Sequence, residues 1–144
     1  MTRARDGSPI IITIPGEAVA FARSGANGVQ RFTPKRQRDF MALVKLAAYQ
    51  AMRGAEPLAG AVEMQIRAVY TIPASWSKKR DGEARWRTAR PDVDNIAKLA
   101  ADSMNGIVYG DDAQVASLTA QKVYGLRAEV IITVACLDGN SEGD

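Results

Sequence analysis

The chain has 144 residues, 47% hydrophobic and 24% charged, with nineteen lysines and arginines against sixteen acidic side chains. That balance fits one soluble globular domain with its own core and excludes a disordered or fibrous chain. Histidine is absent and Cys136 is the single cysteine, which excludes histidine general-base catalysis, zinc sites built on His or paired Cys, and a disulfide framework.

The chain order of predicted elements starts with Ile10 to Ile14, a β-branched run closed by Pro15-Gly16. The stretch from Pro15 to Thr33 has no sustained period and reads as a long loop. Thr33-Pro34 supplies an N-cap and first-turn proline for a helix to Met52, with Phe40, Leu43, Val44 and Ala47 on one side and Gly54 as its stop. From Ala61 to Ile72, Val62, Met64, Ile66, Ala68 and Tyr70 alternate with more polar residues, the period of a half-buried strand.

A second loop follows Pro73. Pro91 to Asn105 then reads as a lead-in and a helix, with Ile96, Leu99, Ala100 and Met104 at helical spacing and Asn105-Gly106 as terminator. A closing pair of strands is expected at Gln114 to Val123 and Arg127 to Leu137, turned by Tyr124-Gly125. The expected architecture is a single small mixed α+β domain over residues 1–137, β-α-β-α-β-β, with two main helices packed on one mixed sheet, then a polar acidic tail at 138–144.

Basic residues gather in two places. Arg23, Arg31, Lys35, Arg36 and Arg38 form one run with no acid among them, and Lys78, Lys79, Arg80, Arg85, Arg87 and Arg90 form another. Such clusters suit phosphate contacts, although a solvated loop has the same composition. No apolar stretch reaches the roughly 18 to 20 residues of a membrane span, and MTRARDGSP lacks the apolar core of a signal peptide, so a cytoplasmic protein with no membrane partner is expected.

The acidic residues concentrate in Arg90-Pro91-Asp92-Val93-Asp94-Asn95-Ile96-Ala97-Lys98 and in Gly110-Asp111-Asp112-Ala113-Gln114-Val115. An extended lead-in can aim Asp92 and Asp94 at one point, Lys98 shares a helix face with Asp94, and a loop can return Asp111-Asp112 to the start of the helix. Clustered carboxylates repel unless a cation lies between them, and oxygen donors without Cys or His suit a hard ion such as Mg²⁺. Each aspartate alone has another reading: Asp92 or Asp94 as an N-cap, Asp111-Asp112 as turn residues, Lys98 as an ion-pair partner. The spacing excludes an EF-hand, and no phosphate-cradling glycine loop occurs.

The pair D-x-D-N-x-x-K followed by D-D-x-Q-V resembles the signature of the RusA family of Holliday junction resolvases. The resemblance implies Mg²⁺ bound by Asp92, Asp94 and Asp112, with Mn²⁺ as a substitute, Lys98 assisting at the phosphate, and Asp111 and Asn95 in support. It also implies a homodimer that resolves four-way DNA junctions by paired nicks, and the family's distribution adds a phage or prophage origin. Trp76 and Trp86 become candidates for stacking on bases near the crossover, against the alternative of partial core. A branched-DNA-binding protein that does not cut, and a flap or single-strand nuclease, remain the competing functions.

Overall fold

The computed structural model describes residues 7–19, 34–76 and 85–137. The strands are β1 (Ile10–Pro15), β2 (Val62–Thr71), β3 (Arg85–Trp86), β4 (Val115–Gly125) and β5 (Glu129–Cys136), and the helices are α1 (Pro34–Met52) and α2 (Val93–Ser103). They form a small α+β domain on one mixed sheet in the order β1-β5-β2-β4-β3. The fold class matches the sequence expectation, with β3 as an additional strand. The long loop after Val19, the Thr33 cap and the tail at 138–144 lie outside the described residues.

Alternation builds the core. Ile12 faces Ile132 and Ile132 faces Ile66 across three neighbouring strands, with Ile14–Val130–Ala68 and Ile10–Val134–Met64 as flanking rows. All nine are buried. Phe40, Val44, Ala48 and Met52, at every fourth position of α1, join the same cluster, as do Ile96, Leu99 and Ala100 from α2 and Met104 at its C-cap. Both helices therefore cover one face, while Ile11 is 62% exposed on the other. Leu43, expected on the apolar side of α1, is 45% exposed, because the buried stripe follows Phe40–Val44–Ala48 and leaves the i+3 position at its rim. α1 ends where expected: Arg53 and Gly54 adopt positive φ directly after Met52.

The closing strands depart from the expected turn. β4 runs through Tyr124 and Gly125, and β4 and β5 flank β2, pairing parallel and antiparallel to it respectively. Residues 126–128 thus cross the end of β2 instead of closing a hairpin. The Ile72 N–H donates to the Gly125 carbonyl at 3.0 Å. A Cβ on Gly125 would lie 2.7 Å from Val69 Cγ1, so only glycine fits that crossing.

The parallel β2–β4 pair requires a crossover, and β3 and α2 supply it. α2 packs back along β4, so its N-terminus lies toward the C-terminal half of β4 and its last turn toward the start of β4. This arrangement sets the positions of the acidic residues.

Candidate active site

Asp92 is the N-cap residue of α2, extended at φ −71° and ψ 143°, yet its side chain makes no capping hydrogen bond. Its carboxylate is exposed at a helix start, where the helix dipole favours negative charge. Asp94, in the first turn, accepts a 3.0 Å bond from the Asn95 N–H. Lys98 lies one turn further on, and Asp94 and Lys98 are both exposed while Ile96, Ala97 and Leu99 are buried. The N-terminal end of α2 thus presents two carboxylates and an ammonium on a rigid, core-anchored element.

The second acidic pair divides its labour. Asp111 caps the short 3-10 helix Asp112–Gln114: its Oδ2 accepts the Ala113 N–H at 2.9 Å, and Gln114 completes a reciprocal capping box. Asp112 heads that turn half-buried, and its carboxylate has no hydrogen bond or ion pair among the described residues. Its charge, with those of Asp102 and Asp111, adds to burial in raising the pKa of Tyr109 well above the usual phenol value. The Tyr109 hydroxyl donates to the Ala101 carbonyl at 2.7 Å, in the last turn of α2.

That contact locates Asp112 at the far end of α2 from Asp92. The nine residue steps from Asp92 to Ala101, at about 1.5 Å each, separate the two ends of α2 by roughly 14 Å along its axis. The loop expected to return Asp111-Asp112 to the helix start keeps them at its C-terminal end. Accordingly, no three acidic side chains among the described residues are close enough to hold one metal ion. The donor chemistry still fits Mg²⁺, which takes one or two protein carboxylates and completes its shell with water and phosphate.

Gln114 belongs to the second motif, but sequence reasoning assigned it no role. Its Oε1 accepts the Gly110 and Asp111 N–H groups at 2.9 and 3.1 Å, and its Nε2 donates to the Leu58 and Gly60 carbonyls, both at 2.9 Å. One carboxamide thus ties the Asp111-Asp112 turn to the loop before β2. Glutamine offers two donors and two acceptors on one planar group, and all four are used here.

The basic candidates differ in availability. Arg23, Arg31, Lys78, Lys79 and Arg80 lie outside the described residues. Lys35 pairs with Asp39 at 2.9 Å on the exposed side of α1, whereas Arg36 is exposed. Arg85 stacks its guanidinium 4.8 Å from the Trp76 ring, and half-buried Arg87 stacks 4.0 Å from Tyr70. Arg90 is exposed directly before Pro91. The tryptophans separate as well: Trp76 packs edge-on against Tyr124 at 4.6 Å, while Trp86 is 67% exposed on β3.

The family model for "Endodeoxyribonuclease RusA" matches residues 15–135, most of the chain. The chain belongs to the RusA endodeoxyribonuclease family. A relative from Bacillus subtilis (strain 168), the uncharacterized protein YqaN, is 36% identical over 135 residues, covering 85% of this chain and 94% of its own length. The RusA family is one of endonucleases that resolve Holliday junctions. The matched span contains both acidic motifs, α2 and the described sheet apart from Ile10–Ile14 of β1 and Cys136 of β5. No helix among the described residues is long and apolar enough to cross a membrane.

Proposed function

We propose that this RusA-family chain is a Mg²⁺-dependent endodeoxyribonuclease that resolves four-way DNA junctions by paired nicks, acting as a homodimer whose metal sites are shared between protomers. The carrying observation is the placement of the expected ligands: Asp92 and Asp94 at one end of α2 and Asp112 at the other, on rigid supports. One chain cannot chelate a single ion across about 14 Å. A twofold axis can place the N-terminal end of α2 of one protomer beside Asp112 of the second copy, and it creates two such sites at once. Two sites on one dimer suit two nicks in opposing strands.

A bound divalent cation supplies Lewis acidity and charge neutralisation at the attacked phosphate. The chain's own residues do the rest. Asp92, Asp94 and Asp112 hold the ion, Lys98 sets a fixed positive charge beside Asp94 for the phosphate oxygens, and Asp111, with Asn95, supports the ligand geometry. Arg36, Arg85 and Arg90, with Lys35, Arg87 and the basic residues outside the described regions, attract the DNA arms electrostatically. Mn²⁺ has the same preference for oxygen donors and would substitute.

The test is cleavage of four-way junction, linear duplex, single strand and flap at equal concentration in Mg²⁺. Asp94→Asn and Asp112→Asn should each abolish junction cutting while leaving binding in EDTA intact. Mixing the two inactive variants should restore nicking, because one of the two shared sites in a mixed dimer keeps all its carboxylates. Continued silence of the mixture would place each site within one chain, and undiminished cutting by Asp94→Asn would remove the ligand assignment. Tight binding with no nicks under any divalent ion would make the chain a junction-binding protein.

A further inference from the structure

Strand β4 carries a cation that neither acidic motif explains. Lys122 is half-buried, and its Nζ donates to the carbonyls of Ala89 and Pro91, each at 2.7 Å. Between them, the Arg90 carbonyl accepts from Arg87 Nη2 at 2.6 Å. Three consecutive carbonyls immediately before Asp92 therefore point at two cations. Arg87 is itself held, with its guanidinium 4.0 Å from the Tyr70 ring and its backbone N–H donating to the Lys122 carbonyl at 2.9 Å.

This grip acts on a segment that little else secures. α2 is anchored by the buried side chains Ile96, Ala97, Leu99, Ala100 and Met104, whereas none of residues 87–92 is buried. Turning the carbonyls of 89–91 toward Lys122 and Arg87 leaves the Arg90 and Asp92 side chains facing solvent, where both are exposed. The direction in which the Asp92 carboxylate leaves the backbone is thus set by one cation on β4 and one directly after β3, not by a cap of its own.

We propose that Lys122 is a positioning residue for metal binding, which pre-sets the lead-in of α2 so that Asp92 meets the cation without first having to be ordered. This rests on the reading of Asp92 and Asp94 as ligands. Side chains that orient metal ligands from behind commonly change metal affinity by about 10- to 100-fold when removed. A residue serving only as glue for the fold would alter stability and leave metal affinity alone.

The experiment titrates Mn²⁺ into DNA-free protein by electron paramagnetic resonance and follows exchange of the Ile96 amide, which bonds to the Asp92 carbonyl at 3.2 Å. Lys122→Met, which keeps the stem and removes the donors, should weaken Mn²⁺ binding on the order of 10-fold and speed Ile96 exchange. Lys122→Gln, with fewer donors, should fall between, and it carries the same comparison if the methionine variant does not fold. Arg67→Met removes the 3.1 Å Arg67–Gln121 bond on the far face of the sheet and should leave both readouts unchanged. If Asp94→Asn weakens Mn²⁺ binding but the Lys122 variants bind as tightly as the parent with unchanged exchange, the positioning role is overturned and the ligand reading stands. If Asp94→Asn itself binds Mn²⁺ at full strength, the ligand reading fails and takes this role with it.

Discussion

Gln114 and Leu58 are 56 residues apart in sequence, yet Gln114 Nε2 donates to the Leu58 carbonyl at 2.9 Å. The same amide donates to Gly60, and its oxygen holds Gly110 and Asp111. Asp112 consequently stands on a turn fastened at both ends. Replacing Gln114 by Glu would put a carboxylate against two carbonyl oxygens, at a cost of about 2 kcal/mol in a partly buried setting. Urea denaturation should show that loss, and junction cleavage should fall further than the stability change alone explains. Wild-type stability in Gln114→Glu would show that the carboxamide network contributes nothing.

The adjacent aspartates should behave differently. Asp111→Ala loses a cap on the 3-10 turn and should cost about 1 kcal/mol of stability with only partial loss of cutting. Asp112→Asn keeps its shape and breaks no hydrogen bond among the described residues, so stability should hold while cleavage disappears. Thermal unfolding and junction cleavage measured on both variants decide it, and a reversed pattern would exchange their roles.

How legible all this was in the sequence depended on the range of the interaction. Period-two alternation identified β2, and helical spacing identified α2, because both signals report local burial that the fold then uses. The two-residue strand β3 has no periodicity to read and exists only through its pairing with Val123 and Tyr124. The strand-end crossing at Gly125 reads locally as a turn, since glycine serves both purposes. Asp92 and Asp111 look alike as caps in sequence, and only the structure shows that Asp111 uses its side chain as one and Asp92 does not. The two bonds donated by Gln114 Nε2 and the two donated by Lys122 join segments far apart in the chain, so no local pattern could assign them.

Alkaline pH should weaken the fold through its buried phenols. Burial pushes the Tyr70 pKa up from 10.0 to about 12, partly offset by the nearby Arg87 charge. Below pH 10 both states keep the proton and Tyr70 adds no pH dependence. From about 10 toward 12 the unfolded chain releases it while the folded chain retains it, so stability falls through that window. Tyr70→Phe should flatten the fall, as read by urea midpoints at a series of pH values, and an unchanged slope would contradict it.

Gly125→Ala tests the crossing over β2. The new methyl would meet Val69 Cγ1 at 2.7 Å, and β-branched Val69 has little freedom to turn away. A loss of about 1 to 3 kcal/mol is expected, typical of an overpacked site. Pairing the change with Val69→Ala should recover much of it, and a double-mutant cycle with no coupling would show that the strand ends simply move apart.

The tryptophans offer the last test, one that separates packing from DNA contact. Trp76 lies edge-on to Tyr124 with Arg85 against its ring, so Trp76→Ala should lower stability. Trp86 is 67% exposed, on a strand whose neighbours Arg85 and Arg87 are basic and only six residues before Asp92. Stacking on an unpaired base contributes about 1 to 3 kcal/mol. Trp86→Ala should therefore weaken junction binding about 10-fold, with Trp86→Phe recovering part of it, while duplex binding and thermal stability stay level. Equal weakening on junction and duplex would assign Trp86 to general affinity and leave junction selectivity to the basic residues.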